Sequence, residues 1–412
     1  MTMRKSILAL SLGVAALAAT AGVKPGVEVL RDNGFQQLDG KKVGLITNPT
    51  GVDNNLKSTI DILHDAPNVE LVALFAPEHG VRGDVHAGDE FENTVDPATG
   101  VQVYSIYGKT KKPTPEMLKG IDALVYDIQD IGCRSFTFVS TLGMALEACA
   151  ENDIELVVLD RPNPLGGNRV EGNLVEDGFY SFVSQFPIPY LYGMTPGETA
   201  RYLNGEGLVA GGKKAKLTVV PMEGWTRDMT FDKTGMPWIL PSPHIPQPVT
   251  SYYYPATGIL GELYFVSIGV GYTLPFQLIC ADWIDADKFS ANMNALNLPG
   301  VKCRPIHIKP FYSTGKGENL QGIQFYIDDI PESSITLLQF YAMQVLAEMY
   351  PDKRIFDVAT DKSRFNMFDK VCGTDQIRLR FSKNYKVSDI IDYWNKDVEP
   401  FKAKSSKYYL YK

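Results

Sequence analysis

The residues best equipped for chemistry lie at the end of an apolar run. Val69–Ala76, interrupted only by Glu70, reads as a buried strand that stops at Pro77-Glu78-His79-Gly80, with Arg82 and Gly83 following. A carboxylate at a strand end, partly desolvated by its neighbours, can carry a proton and act as a general acid. His79 can orient it or touch substrate. The structural alternative is an ion pair of Glu78 with Arg82. Glu-His here lacks HExxH spacing and is no metal motif.

Three other apolar runs end on polar residues. Val43–Thr47 leads into Asn48-Pro49-Thr50-Gly51, Ala123–Tyr126 into Asp127-Ile128-Gln129-Asp130, and Leu156–Leu159 into Asp160-Arg161-Pro162-Asn163. In a strand Asp127 and Gln129 share a face. Carboxylates from different strands suit glycosidic hydrolysis, one as acid and the other as base, nucleophile or charge stabiliser. The same set, Glu78, Asp127, Asp130 and Asp160, could instead hold Mg²⁺ or Ca²⁺ for a metal-dependent hydrolase. A loop-bracing role for Asp130, and an internal pair of Asp160 with Arg161, are the structural alternatives. His244 lies in a proline-rich segment from which it could line a pocket. GxSxG, a Cys beside a His, GxGxxG and Walker loops do not occur after any strand.

These strand ends meet only if the strands run parallel. From Lys42 to about Pro221, strand-like runs alternate with helical patterns: a stripe of Leu56, Ile60 and Leu63, a short helix at Thr114–Leu118, and a face of Phe138, Leu142, Ala145, Leu146 and Cys149. That alternation predicts βαβ crossovers and a mainly parallel, Rossmann-like sheet whose carboxyl ends form one polar floor. The stretch from Glu78 to Gly100 shows no element of its own, a length that favours function. Thr195-Pro196-Gly197-Glu198 predicts a helix start with a capping box. Prolines crowd 221–255 around Tyr252-Tyr253-Tyr254, so the domain transition is expected near residue 250. Beyond it, strands at Gln277–Trp283, Lys302–Ile308 and Gly322–Ile327 and helices at 285–296, 335–349 and 387–401, the last capped by Ser388, predict a smaller α+β domain. The expected division is 1–21, 22–250 and 251–412.

Residues 1–21 read as a secretory signal peptide: Arg4 and Lys5, an uncharged run from Ser6 to Ala19, then small residues. Export, to the periplasm or beyond in a bacterium, is the expectation, with no membrane anchor after cleavage. A net charge of −8 argues against a nucleic-acid or anionic-membrane binder. Cys133, Cys149, Cys280, Cys303 and Cys372 show no CxxC spacing; Cys280 and Cys303 could pair across neighbouring strands, and buried free thiols serve equally well.

At these motifs the sequence resembles the NamZ-type exo-β-N-acetylmuramidases, long carried as a family of unknown function. The matching segments are Gly44–Gly51, Phe75–Gly80 with Arg82-Gly83, Tyr126–Gly132 with Arg134, Leu159–Pro164 with Gly166-Gly167, Glu171-Gly172, Gly193-Met194-Thr195, Pro275-Phe276 and Asp282-Trp283-Ile284. The chain departs from the family at Tyr192, where a histidine is usual, at Leu274, where an arginine is usual, and across Glu262–Ser267 and Gly269–Tyr272. The resemblance implies a Rossmann-like domain, a smaller C-terminal domain and an active site in the cleft between them. It implies removal of terminal N-acetylmuramic acid from peptidoglycan fragments, saccharide or muropeptide, without a metal or organic cofactor. Glu78 would then be the general acid and Asp127 the second carboxylate. Asn48, His79, Arg82, Gln129, Asp130, Arg134, Asp160, Arg161, Asn163, His244 and Glu262 would contact substrate. A non-catalytic binder of wall sugars is the remaining alternative.

Overall fold

The computed structural model describes residues 22–83, 92–328, 332–358 and 361–412. The expected leader and part of the 78–100 excursion, residues 84–91, lie outside the described residues.

The first half is built on one sheet. Its strands are β1 (Lys42–Thr47), β2 (Glu70–Ala76), β3 (Thr94–Val95), β4 (Gln102–Ser105), β5 (Ala123–Asp127) and β6 (Glu155–Leu159). A short ladder of β7 (Val170–Glu171) with β8 (Leu191–Tyr192) intervenes before β9 (Lys216–Val220). The order is β3-β4-β2-β1-β5-β6-β9, and every pairing is parallel except β3 with β4. Helices cover both faces, which explains why the strands read as unbroken apolar runs. Ile46, Leu124, Tyr126 and Val158 point into the core that contains α3 (Phe138–Asn152), while Leu45, Val125, Val157 and Leu159 point into the opposite one, with α1 (Gly26–Asp32) and α2 (Thr59–His64). α3 buries the face of Phe138, Leu142, Ala145, Leu146 and Cys149 read from its spacing. α4 (Pro196–Gly205) opens on the expected capping box: Thr195 accepts from the Glu198 N–H, and the Glu198 carboxylate accepts from the Thr195 N–H.

The second half is the smaller α+β unit. It comprises α5 (Thr250–Gly261), β10 (Leu278–Ala281), α6 (Ala286–Ala295), β11 (Val301–Ile308), β12 (Leu320–Ile327) and α7 (Leu338–Met349), with antiparallel strand order β10-β12-β11. Its core is continuous with the α3 face of the first half. Tyr252-Tyr253-Tyr254 lies inside α5, a helix that accommodates Pro255. Gln339 steadies that segment by donating to the Pro255 carbonyl and accepting from the Leu260 N–H.

Three expectations are corrected. Thr114–Leu118 forms a turn, not a helix: Leu118 N–H reaches Thr114 O, and the chain then swings through Gly120 at φ +82° to start β5. The helix expected across 387–401 is split into a 3₁₀ turn, Val387–Asp389, and helices Ile391–Asn395 and Val398–Ser405, with no cap from Ser388. Asp397, at the junction, accepts from Leu174 N–H, so the break docks this segment onto the first half. Cys280 and Cys303 sit on β10 and β11, which flank β12 and never meet, and all five cysteines are buried free thiols.

After Ser405 the chain returns to the first half. The Tyr411 hydroxyl donates to Asp160 at 2.6 Å, Leu410 N–H to Glu198 at 2.9 Å, and Arg227 N–H to the Lys412 carbonyl at 3.0 Å.

Candidate active site

A cavity of about 380 Å³ lies between the halves. Glu78, His79, Tyr107, Thr137 and His244 line it from the first half, and Tyr254, Glu262, Tyr264, Phe276, Ser313 and Thr314 from the second. Glu78 is delivered by the end of β2. The next two residues, His79 (φ +75°) and Gly80 (φ +77°), are both left-handed. For a side chain like imidazole that conformation costs about 1–2 kcal/mol, and such strain gathers at functional turns. β4 runs parallel to β2 with Ser105 beside Ala76, so Tyr107 emerges next to Glu78. Thr137 precedes α3 at its N-cap. Glu78 Oε1 accepts from the Tyr107 hydroxyl at 2.9 Å and Oε2 from Thr137 Oγ1 at 2.6 Å. Burial, together with the Glu78 charge, pushes the Tyr107 phenol above its usual range, which keeps it a donor.

Glu262 faces the same cavity from the C-cap of α5. Arg364 holds it, donating to its carboxylate at 3.0 Å and its carbonyl at 2.7 Å, while the guanidinium lies 4.3 Å from the Tyr264 ring centroid. Burial raises the Glu262 pKa and Arg364 opposes the shift. His244 Nε2 lies 2.6 Å from the Tyr312 hydroxyl. Glu78, His79, His244 and Glu262 are thus the expected site residues that the fold brings together.

The other strand ends are tied to one another instead of facing the cavity. Asp127, expected as the second carboxylate, is 0% exposed. Its oxygens accept from Arg161 Nε and Nη2 at 2.5 and 2.9 Å and from Thr59 Oγ1 at 2.5 Å. Asn48 Oδ1 accepts from the backbone and hydroxyl of Thr50, and Gln129 donates to the Pro162 and Asp130 carbonyls. Asp130 accepts from Gly132 N–H and the Tyr192 hydroxyl. Gly132, at φ +75°, lets the chain pass so close that a Cβ would meet the Asn163 amide at 2.5 Å. Asn163 itself braces Leu165 and Met194. Asp160 accepts from Thr195, Gly197 and Tyr411. Burial pushes the Asp130 carboxyl up to about 6 and that of Asp160 to about 7, against these hydrogen bonds. Arg134, fully buried, donates to the carbonyls of Asn173, Ile188 and Val371 and so joins the halves. Arg82 forms a bidentate pair with Asp96. Glu78, Asp127, Asp130 and Asp160 therefore do not converge, and among the described residues no three His, Cys, Asp or Glu side chains gather as a metal-holding group.

Tyr107 and Thr137 were not singled out by sequence. The signal was present: Tyr107 closes the strand-like stretch Val101–Tyr107, which contributes β4 to the same sheet, and Thr137 immediately precedes a helical face.

A mainly parallel sheet joined to a smaller α+β unit is a fold shared with known proteins. Residues 43–249 match the N-terminal domain, and 252–411 the C-terminal domain, of the family described as Exo-beta-N-acetylmuramidase NamZ. The chain belongs to this family and is a glycoside hydrolase by class. It is 43% identical to the peptidoglycan beta-N-acetylmuramidase NamZ of Bacillus subtilis over 94% of this chain and 91% of that protein. Two crystal structures of DUF1343 family proteins from Bacteroides fragilis share the fold. One is 60% identical with a TM-score of 0.91 and the other 28% identical with a TM-score of 0.75; each alignment covers 95% of this chain and 99% of the other.

Proposed function

We propose that this protein is an exported exo-β-N-acetylmuramidase that removes N-acetylmuramic acid from the non-reducing end of peptidoglycan fragments, with Glu78 as general acid. The observation that carries the reading is the Glu78 carboxyl, fixed by Tyr107 and Thr137 inside a cavity of about 380 Å³. That volume is at the low end of ligand pockets, roughly 300–1,000 Å³, and suits one terminal sugar better than a run of them.

In this mechanism Glu78 gives its proton to the glycosidic oxygen as the bond to the anomeric carbon breaks. The two hydroxyls hold the carboxyl plane while charge on it changes, which is where a fixed donor stabilises the transition state. Water completes the hydrolysis at the anomeric carbon. The water's proton passes to the Glu78 carboxylate or to Glu262, the other carboxylate among the described residues that line the cavity; the sugar's own acetamido group is an alternative first nucleophile at the anomeric carbon, with water then opening the ring it forms. Asp127 supports the floor beneath, through Arg161. Donors for the lactyl carboxylate are the side chains of His79, His244, Ser242, Ser313 and Thr314 on the cavity wall.

The test is hydrolysis of a chromogenic N-acetylmuramic acid glycoside beside a panel of other amino-sugar glycosides. The wild type should release N-acetylmuramic acid from the muramic acid glycoside and from a peptidoglycan saccharide, and Glu78→Gln should be slower by about 10²–10⁴ on the saccharide, with a smaller loss on the chromogenic glycoside. Equal rates for the two proteins on the saccharide would refute the assignment. Export is tested by the mass of the protein recovered outside the cytoplasm, expected to start near Gly22.

A further inference from the structure

A second, open groove of about 910 Å³ lies on the second half, behind a thin ridge that also walls the cavity. The ridge consists of residues 269–272 packed backbone to backbone on residues 311–314. Phe311 N–H donates to the Gly271 carbonyl at 2.8 Å, and Gly271, at φ +91°, comes so close that a Cβ would lie 2.0 Å from the Tyr312 carbonyl. Val270, Ser313 and Thr314 face the cavity, whereas Tyr272 and Phe311 face the groove. Tyr312, on the crest, is bonded to cavity-lining His244. One pair of loops therefore shapes both sites.

The groove has a defined chemistry. Phe311 is 70% exposed, and its ring lies within 15° of parallel to Tyr272 at 6.3 Å. With Tyr312, 48% exposed on the crest, the two rings make an exposed aromatic cluster. Lys309 and Lys316 also line the groove, and no acidic residue is among its described lining residues. A cationic, aromatic groove on a chain of net charge −8 runs against the mean of its surface.

We propose that this groove is a leaving-group subsite. It takes the carboxylate-bearing saccharide that continues beyond the bond cleaved in the cavity, one sugar face on Phe311 and a carboxylate of the next muramic residue against Lys309 and Lys316. This rests on the muramidase reading. The carboxylate comes either from the lactyl group or from a stem peptide attached to it.

Kinetics of wild type, Phe311→Ala and the double variant Lys309→Ala/Lys316→Ala test it on three substrates: an aryl N-acetylmuraminide, a tetrasaccharide with free lactyl groups, and the same tetrasaccharide carrying stem peptides. For exposed ion pairs of this kind, KM for a tetrasaccharide should rise about fivefold at unchanged kcat, while kcat/KM for the aryl glycoside stays within about twofold. Because a stem peptide is joined by an amide to the lactyl carboxyl, a rise for the lysine variant on the free-lactyl tetrasaccharide alone assigns the lactyl carboxylate, a rise on the peptide-bearing one alone assigns a carboxylate of the stem peptide, and a rise on both shows that the groove takes either; each supports the subsite. Parallel losses on all three substrates, or no change on either tetrasaccharide, overturn it. A wild type inactive on every substrate would refute the muramidase reading instead. Calorimetric titration of the tetrasaccharides into Glu78→Gln, with and without the two lysine substitutions, then reads the groove alone: weaker binding supports it and equal binding overturns it.

Discussion

Replacing Asp127 separates a supporting role from a chemical one. Its carboxylate is fully buried and takes two hydrogen bonds from Arg161 and one from Thr59. Asp127→Asn keeps the shape and an acceptor but leaves the Arg161 guanidinium buried without a counter-charge. Breaking a buried pair from one side costs about 3–5 kcal/mol. Asp127→Ala also strands the Thr59 hydroxyl, at a further ~1–3 kcal/mol. Against a typical total stability of about 5–15 kcal/mol, the alanine variant should be close to unfolding. The double replacement Asp127→Leu/Arg161→Met removes both charges and should recover most of the loss. Urea denaturation with m held constant measures each term, and the single variants Asp127→Leu and Arg161→Met, with the double variant and wild type, close a double-mutant cycle. At low temperature, where Asp127→Asn stays folded, its kcat should remain within about tenfold of wild type. A wild-type urea midpoint combined with a kcat loss of about a thousandfold or more would place Asp127 in the chemistry and refute this reasoning.

Glu78→Gln should cost about 10²–10⁴ in kcat for glycosides with poorly acidic leaving groups and far less for a nitrophenyl glycoside, because a good leaving group departs without a proton; a loss independent of the leaving group in a Brønsted series would contradict the acid role. Tyr107→Phe and Thr137→Val each delete one neutral hydrogen bond to Glu78, worth about 0.5–1.5 kcal/mol, so each should lower kcat about two- to tenfold in steady-state assays. Glu206 receives Lys404, Lys407 and the Tyr408 hydroxyl, which hold its pKa down at about 2. The stabilisation from that depressed pKa is full above the unfolded value near 4.5 and is lost as pH falls towards 2. Hydrogen exchange of the C-terminal segment should accelerate over that interval in wild type, and the acceleration should be smaller in Glu206→Gln.

The sheet was legible because helices on both faces force continuous apolar runs, and because chain direction then gathers their ends. Glu78 was legible for the same reason. Its two hydroxyl partners were harder to see, since Tyr107 reaches it only through the register that sets Ser105 beside Ala76. Asp127, Asp130 and Asp160 illustrate the opposite difficulty. A polar residue ending a buried strand looks the same whether it meets substrate or another polar strand end, and here Arg161, Tyr192 and Tyr411 occupy them. Tyr411 lies 251 residues from Asp160, so local pattern carries no trace of the contact. The far wall of the cavity comes from loops around 262–276 and 313–314, which have no period to detect.

The return of the chain end to the first half has a mechanical consequence. The backbone passes between the halves once before α5 and again after Ser405, and Arg227, Glu198 and Asp160 clamp the second passage. A unit attached by one strand can swing about any axis through its hinge; a unit attached by two is confined to rotation about the line joining them. Arg134, reaching from the first half to the Val371 carbonyl, stands against even that rotation. The two passages and Arg134 together oppose a hinge-like opening of the cavity between the halves.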